Sequence, residues 1–85
     1  MDIKQQFIAA TIASKQLASR PSNDILLQLY SLYKQATEDD APAVGPANPF
    51  DFVGKAKHEA WLAQAGKSSE IAMREYINLV ESLKG

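Results

Sequence analysis

The chain has 85 residues, a net charge of -1 at neutral pH and no cysteine. We expect a single domain over residues 1–85, and the lack of thiols excludes disulfides, thiolate zinc sites and cysteine nucleophiles. Hydrophobic residues make up 46% of the chain and charged residues 22%, as in a globular domain, and the scattered lysines and arginines do not form the broad basic face that nucleic acid requires.

The first predicted element is an amphipathic helix from Asp2 to about Leu17. Its apolar residues recur along one face at helical spacing, and lysines and glutamines lie outside that face. Pro21 marks the turn that follows, because proline disfavours α geometry at Arg20 and lacks a backbone donor.

The second predicted helix begins after a Ser22 cap and runs to about Thr37. Residues three and four apart are neighbours on a helix surface, so Tyr30, Tyr33 and Lys34 share a patch. Two phenol rings beside an ammonium group suit a phosphorylated aromatic ligand. Tyrosines at this spacing are also common as half-buried packing residues, so the patch alone leaves both interpretations open.

A long loop separates the second helix from the third. The segment from Glu38 to Phe50 contains three prolines and one glycine, which excludes regular structure. Loops of this length are uncommon in a compact domain unless they are functional or cross the fold, and we expect this loop to cross from one end of the fold to the other.

Two further helices complete the predicted fold. The third is predicted from Phe52 to about Gln64, with Lys57 and Trp61 on one face. The fourth is capped by Ser68 and continues almost to the carboxyl end. Four amphipathic helices without strand-like alternation predict an all-α four-helix bundle, whose long connection leaves a concave surface between the second and third helices.

The sequence offers no arrangement of groups suited to catalysis or metal binding. The single histidine, His58, lies next to Glu59, but adjacent helical residues point in different directions, so we expect a packing or groove-edge role. There is no phosphate-binding glycine loop, nucleophile elbow or histidine cluster. Asp39 and Asp40 lack the pattern of a calcium loop. We therefore expect no catalytic residue, no metal and no cofactor.

Three segments carry a family resemblance: YSLYKQAT at 30–37, DFVGKAKHEAW at 51–61 and AMREYI at 72–77. With them the likeness extends from Phe7 to Leu83, and on these motifs the chain resembles the acyl-CoA-binding protein family. The resemblance implies an up-down-down-up four-helix fold with a long loop between helices 2 and 3. It also implies that the protein binds long-chain fatty acyl-CoA esters without making or breaking a bond.

The resemblance also implies a set of ligand contacts. Lysines and tyrosines from all four helices would hold the nucleotide head, and Ser31 and Leu32 fall within the binding stretch, with Leu32 the weakest contact of that group. The matching positions are Lys15, Tyr30, Ser31, Leu32, Tyr33, Lys34, Lys57 and Tyr76. Two positions depart from the family pattern: Val53 stands where many members have a lysine, and His58 where most have a tryptophan.

Two other functions compete with the carrier. A helical interaction module whose groove takes a partner helix would explain the apolar faces but not the convergence of lysines and tyrosines. An acyl-CoA hydrolase lacks a nucleophile and base in this sequence.

For the carrier itself we expect a cytoplasmic monomer that buffers the acyl-CoA pool and contacts acyl-CoA-using enzymes transiently. The chain has no apolar run long enough for stable membrane insertion and no secretory signal pattern at its amino end.

Overall fold

The computed structural model describes residues 2–84 and folds them into four helices. These are α1 (Ile3–Ser14), α2 (Asn23–Glu38), α3 (Phe52–Leu62) and α4 (Ser69–Lys84). No strand occurs within residues 2–84. The predicted all-α four-helix bundle is therefore confirmed, while positions 1 and 85 of the predicted domain lie outside the described residues.

Each helix begins with the same kind of cap. A side-chain oxygen of aspartate or serine accepts a hydrogen bond from the backbone N–H three residues further on, which satisfies one of the free donors of the first turn. The pairs are Asp2–Gln5 at 2.8 Å, Ser22–Ile25 at 3.3 Å, Asp51–Gly54 at 2.9 Å and Ser68–Ile71 at 3.2 Å. A cap of this type contributes about 1 kcal/mol to stability, and the caps expected at Ser22 and Ser68 are confirmed.

Two helices are shorter than the sequence predicts. Helix α1 ends at Ser14 and not near Leu17, and α3 ends at Leu62 and not at Gln64. In both cases the following residues form bonds to the carbonyl three residues back, as in Lys15 N to Ile12 O at 3.1 Å. Such bonds tighten the last turn of a helix and satisfy its free carbonyls, so the chain leaves α geometry early.

The hydrophobic core lies between α1, α2 and α4. Helix α4 packs against α1 and α2, whereas α3 packs only against α2 among the described helices. The buried residues of the core cluster are Phe7, Ala10, Leu29, Leu32, Ala36, Ala72, Met73, Tyr76 and Val80. No α3 residue belongs to that cluster, so α3 stands beside the core and leaves an open face toward α2.

The loop after α2 is fastened to α3 by two side chains. Trp61 Nε1 donates to the Asp39 carbonyl at 2.8 Å, and His58 Nε2 lies 2.6 Å from the Pro42 carbonyl oxygen. His58 is half-buried against the loop, and its ring leaves little room at Gly45, where an added Cβ would come within 3.0 Å of Nδ1. The imidazole therefore packs against the loop.

A polar cluster joins the start of the loop to the turn before α4. Buried Gln35 donates through Nε2 to Asp40 Oδ1 at 2.8 Å and to the Lys67 carbonyl at 2.9 Å. The Gly66 N–H also donates to Asp40 Oδ1, at 3.0 Å, from a turn in which Gly66 has a φ of 90° that favours glycine. The Gln35 amide and then the Gly66 N–H lower the pKa of Asp40.

Candidate functional site

Two cavities meet at Tyr30. The tyrosine cavity has a volume of about 390 Å³ and lies among α1, α2 and α4; its lining residues are Thr11, Ser14, Lys15, Leu29, Tyr30, Tyr33 and Tyr76. The apolar groove has a volume of about 440 Å³ and lies between α2 and α3; its lining residues are Arg20, Asn23, Leu26, Leu27, Tyr30, Phe52, Val53, Ala56 and Lys57. Cavities of this size bind small molecules, and their junction can take a ligand with two unlike ends.

The wall of the tyrosine cavity is built on the core. Phe7 is buried, with its ring centroid 5.9 Å from that of Tyr33 in a stacked arrangement and 5.1 Å from that of Tyr76 in an edge-to-face one. The buried Tyr76 donates its hydroxyl to Ser14 Oγ at 3.1 Å, which fixes the phenol. Phe7 therefore supports one face of the Tyr33 ring. Because Tyr33 is 43% exposed, the ring remains available to a flat ligand group.

Lys57 lines the apolar groove from α3 and faces Tyr30, the residue that lines both cavities. Its Nζ lies 5.1 Å from the ring centroid of Tyr30, within the range of a cation–π contact. No ion pair of Lys57 occurs within residues 2–84. A positive charge that is not neutralised by a carboxylate therefore stands at the junction of the cavities.

Lys34 is held on the α3 side of α2 and lines neither cavity. Its Nζ lies 5.0 Å from the Trp61 ring centroid and forms an ion pair with Glu38, four residues later on the same helix. The hydrogen bond with Glu38 raises the pKa of Lys34 above 10.5, although burial opposes the shift. The side chain of Lys34 is fully charged at neutral pH but already has an anionic partner.

The structure does not bring Ser31 and Leu32 to either cavity. Ser31 is 1% exposed; its hydroxyl donates to the Gln28 carbonyl at 2.9 Å and accepts from Gln64 Nε2 at 3.1 Å. Leu32 lies in the core cluster. Successive residues of a helix are rotated by about 100°, so neighbours of Tyr30 in sequence point to other faces. Ligand contact at these two positions has no support from the structure.

The apolar groove is the concave surface predicted between the second and third helices, but most of its lining residues were not named in that prediction. Phe52 and Val53 are 71% and 67% exposed, and with Leu26 and Leu27 they form its walls. Arg20 also lines the groove, although its place in the sequence indicated only a residue before a proline. A signal was present on α2, because Leu26 and Leu27 lie four and three residues before Tyr30 and so extend its face.

Between residues 2 and 84, histidine and acidic side chains form no cluster that could hold a metal ion. Among the helices of that range, none has the length and apolar character needed to cross a membrane.

Comparison with known proteins supplies the family. The model of the family described as acyl-CoA-binding protein matches residues 4–80. An acyl-CoA-binding protein homolog of Drosophila melanogaster is 51% identical, with 95% of this chain and 93% of that protein covered. One from Manduca sexta is 43% identical, with 98% and 92% covered. The crystal structure of Oryza sativa acyl-CoA-binding protein 2 superposes with a TM-score of 0.87 at 36% identity, with 96% and 90% covered. This chain belongs to the acyl-CoA-binding protein family.

Proposed function

We propose that this protein binds long-chain fatty acyl-CoA esters non-covalently and serves as a carrier and buffer of the acyl-CoA pool. The observation that carries the proposal is the junction at Tyr30 of a tyrosine-lined cavity and an apolar groove. An acyl-CoA ester has the same division, with a charged aromatic head at one end and an apolar chain at the other. The relatives named as acyl-CoA-binding proteins support the same ligand.

The head group would occupy the tyrosine cavity and the junction. Coenzyme A carries roughly four negative charges near neutral pH, from a phosphate monoester and a diphosphate. Lys15 lines the tyrosine cavity and Lys57 stands at the junction, so two cations can meet phosphates from different sides. An adenine ring on the exposed phenol of Tyr33 would contribute about 1–3 kcal/mol, by analogy with base stacking on aromatic side chains.

The acyl chain would lie in the apolar groove. Each methylene removed from water contributes about 0.8 kcal/mol, so affinity should rise with chain length until the groove is filled. Phe52 and Val53 are largely exposed without ligand and would be covered by the chain. Exposed apolar walls of this kind are typical of a site whose ligand completes the surface.

A carrier of this kind makes and breaks no bond. We propose that the protein acts as a monomer, because one chain supplies both cavities. We also propose that it is cytoplasmic and needs no cofactor. By covering the acyl chain it would shield a detergent-like ester and release it through transient contacts with acyl-CoA-using enzymes.

Thermal shift tests the proposal and separates it from its competitors. Palmitoyl-CoA at a hundred times its Kd should stabilise the protein by about 2.7 kcal/mol, with the ester intact at the end of the experiment. Loss of the ester over minutes would identify a hydrolase. The absence of any shift with palmitoyl-CoA would contradict the proposal and favour an interaction module.

A further inference from the structure

We infer that Glu38 competes with the ligand's phosphates for Lys34 and so lowers the affinity of the protein for acyl-CoA. The inference rests on the proposed function. Its basis is the contrast between two lysines: Lys57 faces an aromatic ring without a carboxylate, whereas Lys34 is paired with Glu38. Lys34 lines neither cavity but lies one helical turn after Tyr30, which lines both, so a phosphate held beside Tyr30 can reach it. Such a phosphate can approach Lys57 directly but must displace a carboxylate from Lys34.

The position of Glu38 is unfavourable for the helix that carries it. Glu38 lies in the last turn of α2, which contains no basic residue, so its negative charge adds to the negative end of the helix dipole. Asp39 and Asp40 follow directly, giving three consecutive carboxylates. Asp40 accepts hydrogen bonds from Gln35 and Gly66, whereas Glu38 forms the ion pair with Lys34.

A polyanion can displace Glu38 from Lys34 at little cost in stability. The Glu38 side chain is 53% exposed, and exposed pairs four residues apart on a helix contribute little to stability. Lys34 would keep its place on the Trp61 ring, since Trp61 is fixed by its hydrogen bond to the Asp39 carbonyl at 2.8 Å. When Glu38 moves into solvent, the ammonium is left on an apolar support with its charge free for a phosphate.

In the ligand-free protein, Lys34 is therefore neutralised by Glu38. A weakly charged ligand gains little at Lys34, because the interaction only replaces the one with Glu38. A ligand with several phosphates exchanges one carboxylate for a stronger anion and still meets Lys57 with its other charges. Glu38 thus lowers the affinity for any anionic ligand that must reach Lys34, and its carboxylate repels a more highly charged head group more strongly.

Calorimetric titration of Glu38→Gln with palmitoyl-CoA tests the inference, with Glu70→Gln as the matched control. Glu70 forms the corresponding pair, four residues apart, with Arg74 on α4, and either substitution changes the net charge from -1 to 0. Removal of a charge near Lys34 should tighten binding about three- to tenfold at low salt, by Coulomb's law at surface dielectric values, while Glu70→Gln stays within about twofold of wild type. In about 0.5 M salt the gain should largely disappear.

A double-variant cycle assigns the effect to Lys34. In a Lys34→Ala background, Glu38→Gln should change the affinity no more than Glu70→Gln does. Equal effects of Glu38→Gln and Glu70→Gln in the wild-type background, or weaker binding by Glu38→Gln, would overturn the inference and leave the proposed function intact. A gain that persists without Lys34 would also overturn it. If wild type itself does not bind palmitoyl-CoA, both the inference and the proposed function fail.

Discussion

The two cavities differ in how closely they are tied to the core. The tyrosine cavity rests on Phe7 and Tyr76, which are 5% exposed and belong to the cluster joining α1, α2 and α4. The apolar groove has α3 as one wall; among the described helices α3 packs only on α2, and it contributes no residue to the cluster. The tyrosine cavity, proposed for the head group, thus depends on the packed core, whereas the apolar groove, proposed for the acyl chain, is an exposed surface. Substitutions on the two sides should therefore separate stability from binding.

A matched pair of phenylalanines gives the largest expected contrast. Phe7→Ala should destabilise the protein by about 3–5 kcal/mol, because it empties the space beneath Tyr33 and Tyr76. Phe52→Ala, at a position 71% exposed, should change the free energy of unfolding by no more than about 0.5 kcal/mol yet weaken palmitoyl-CoA binding several-fold. Denaturant unfolding and calorimetric titration measure the two quantities. Equal losses of stability would contradict the division between core and surface.

Lys57 should show the next largest effect, on binding alone. A hydrogen bond to a charged group contributes roughly 1.5–3 kcal/mol, so Lys57→Ala should weaken palmitoyl-CoA binding by about ten- to a hundredfold. Lys34→Ala should weaken palmitoyl-CoA binding less than Lys57→Ala does, because Lys34 already interacts with Glu38. Lys55→Ala is the control, since Lys55 is exposed on α3 and lines neither cavity. Comparable losses from Lys55→Ala and Lys57→Ala would show that only general charge matters.

The strained end of α2 offers a change of opposite sign. Asp39 has a φ of 62° and a ψ of -148°, a region that glycine adopts and other residues enter at a cost of about 1–3 kcal/mol. Asp39→Gly should raise the free energy of unfolding by about 1 kcal/mol, while Asp39→Ala, which also removes the carboxylate but keeps a Cβ, should not. Thermal unfolding of the two variants compares them directly. If both were stabilised alike, charge repulsion and not backbone strain would be the cause.

The smallest expected effect concerns Asp40 and pH. The pKa of Asp40 is lowered below the ordinary 3.8 in the folded state. Asp40 therefore contributes stability that is fully present above the unfolded-state pKa and is lost as the pH falls through the folded-state pKa. Asp40→Asn should lower the melting temperature near neutral pH and reduce its further decline in acid. Melting curves between neutral and acidic pH provide the check. An identical acid profile in wild type and Asp40→Asn would exclude this role.

Local chemistry explains which parts of the fold were predictable. Apolar periodicity and the caps at Ser22 and Ser68 act within a few residues, so the sequence revealed all four helices. The Lys34–Glu38 pair was equally local, four residues apart, and could have been found in the same way. The ends of α1 and α3 were placed too late, because a final turn with bonds to the third residue back has the same apolar pattern as an α-helix.

The parts of the site that escaped prediction depend on contacts between distant segments. Arg20 and Phe52 line the same groove only because α3 crosses α2, and neither residue has a local signal for that contact. The positive φ of Asp39 was not predicted either, and its carbonyl accepts a hydrogen bond from the Trp61 indole, which is distant in the sequence. Helical spacing already indicated Tyr30. Family resemblance added the roles of Lys57 and Tyr76, but it also included Ser31, whose side chain the fold buries.

The most direct test of a two-part site is a calorimetric comparison of palmitoyl-CoA with its separate halves, free coenzyme A and palmitate. A head held by cations and tyrosines and a chain held by an apolar groove predict that the intact ester binds far more tightly than either half. Within a series of esters, each further methylene that is buried contributes about 0.8 kcal/mol, so affinity should rise by up to about fourfold per methylene until the groove is full. Equal affinity for palmitate and palmitoyl-CoA, or affinity that does not change with chain length, would contradict the joining of two sites at Tyr30.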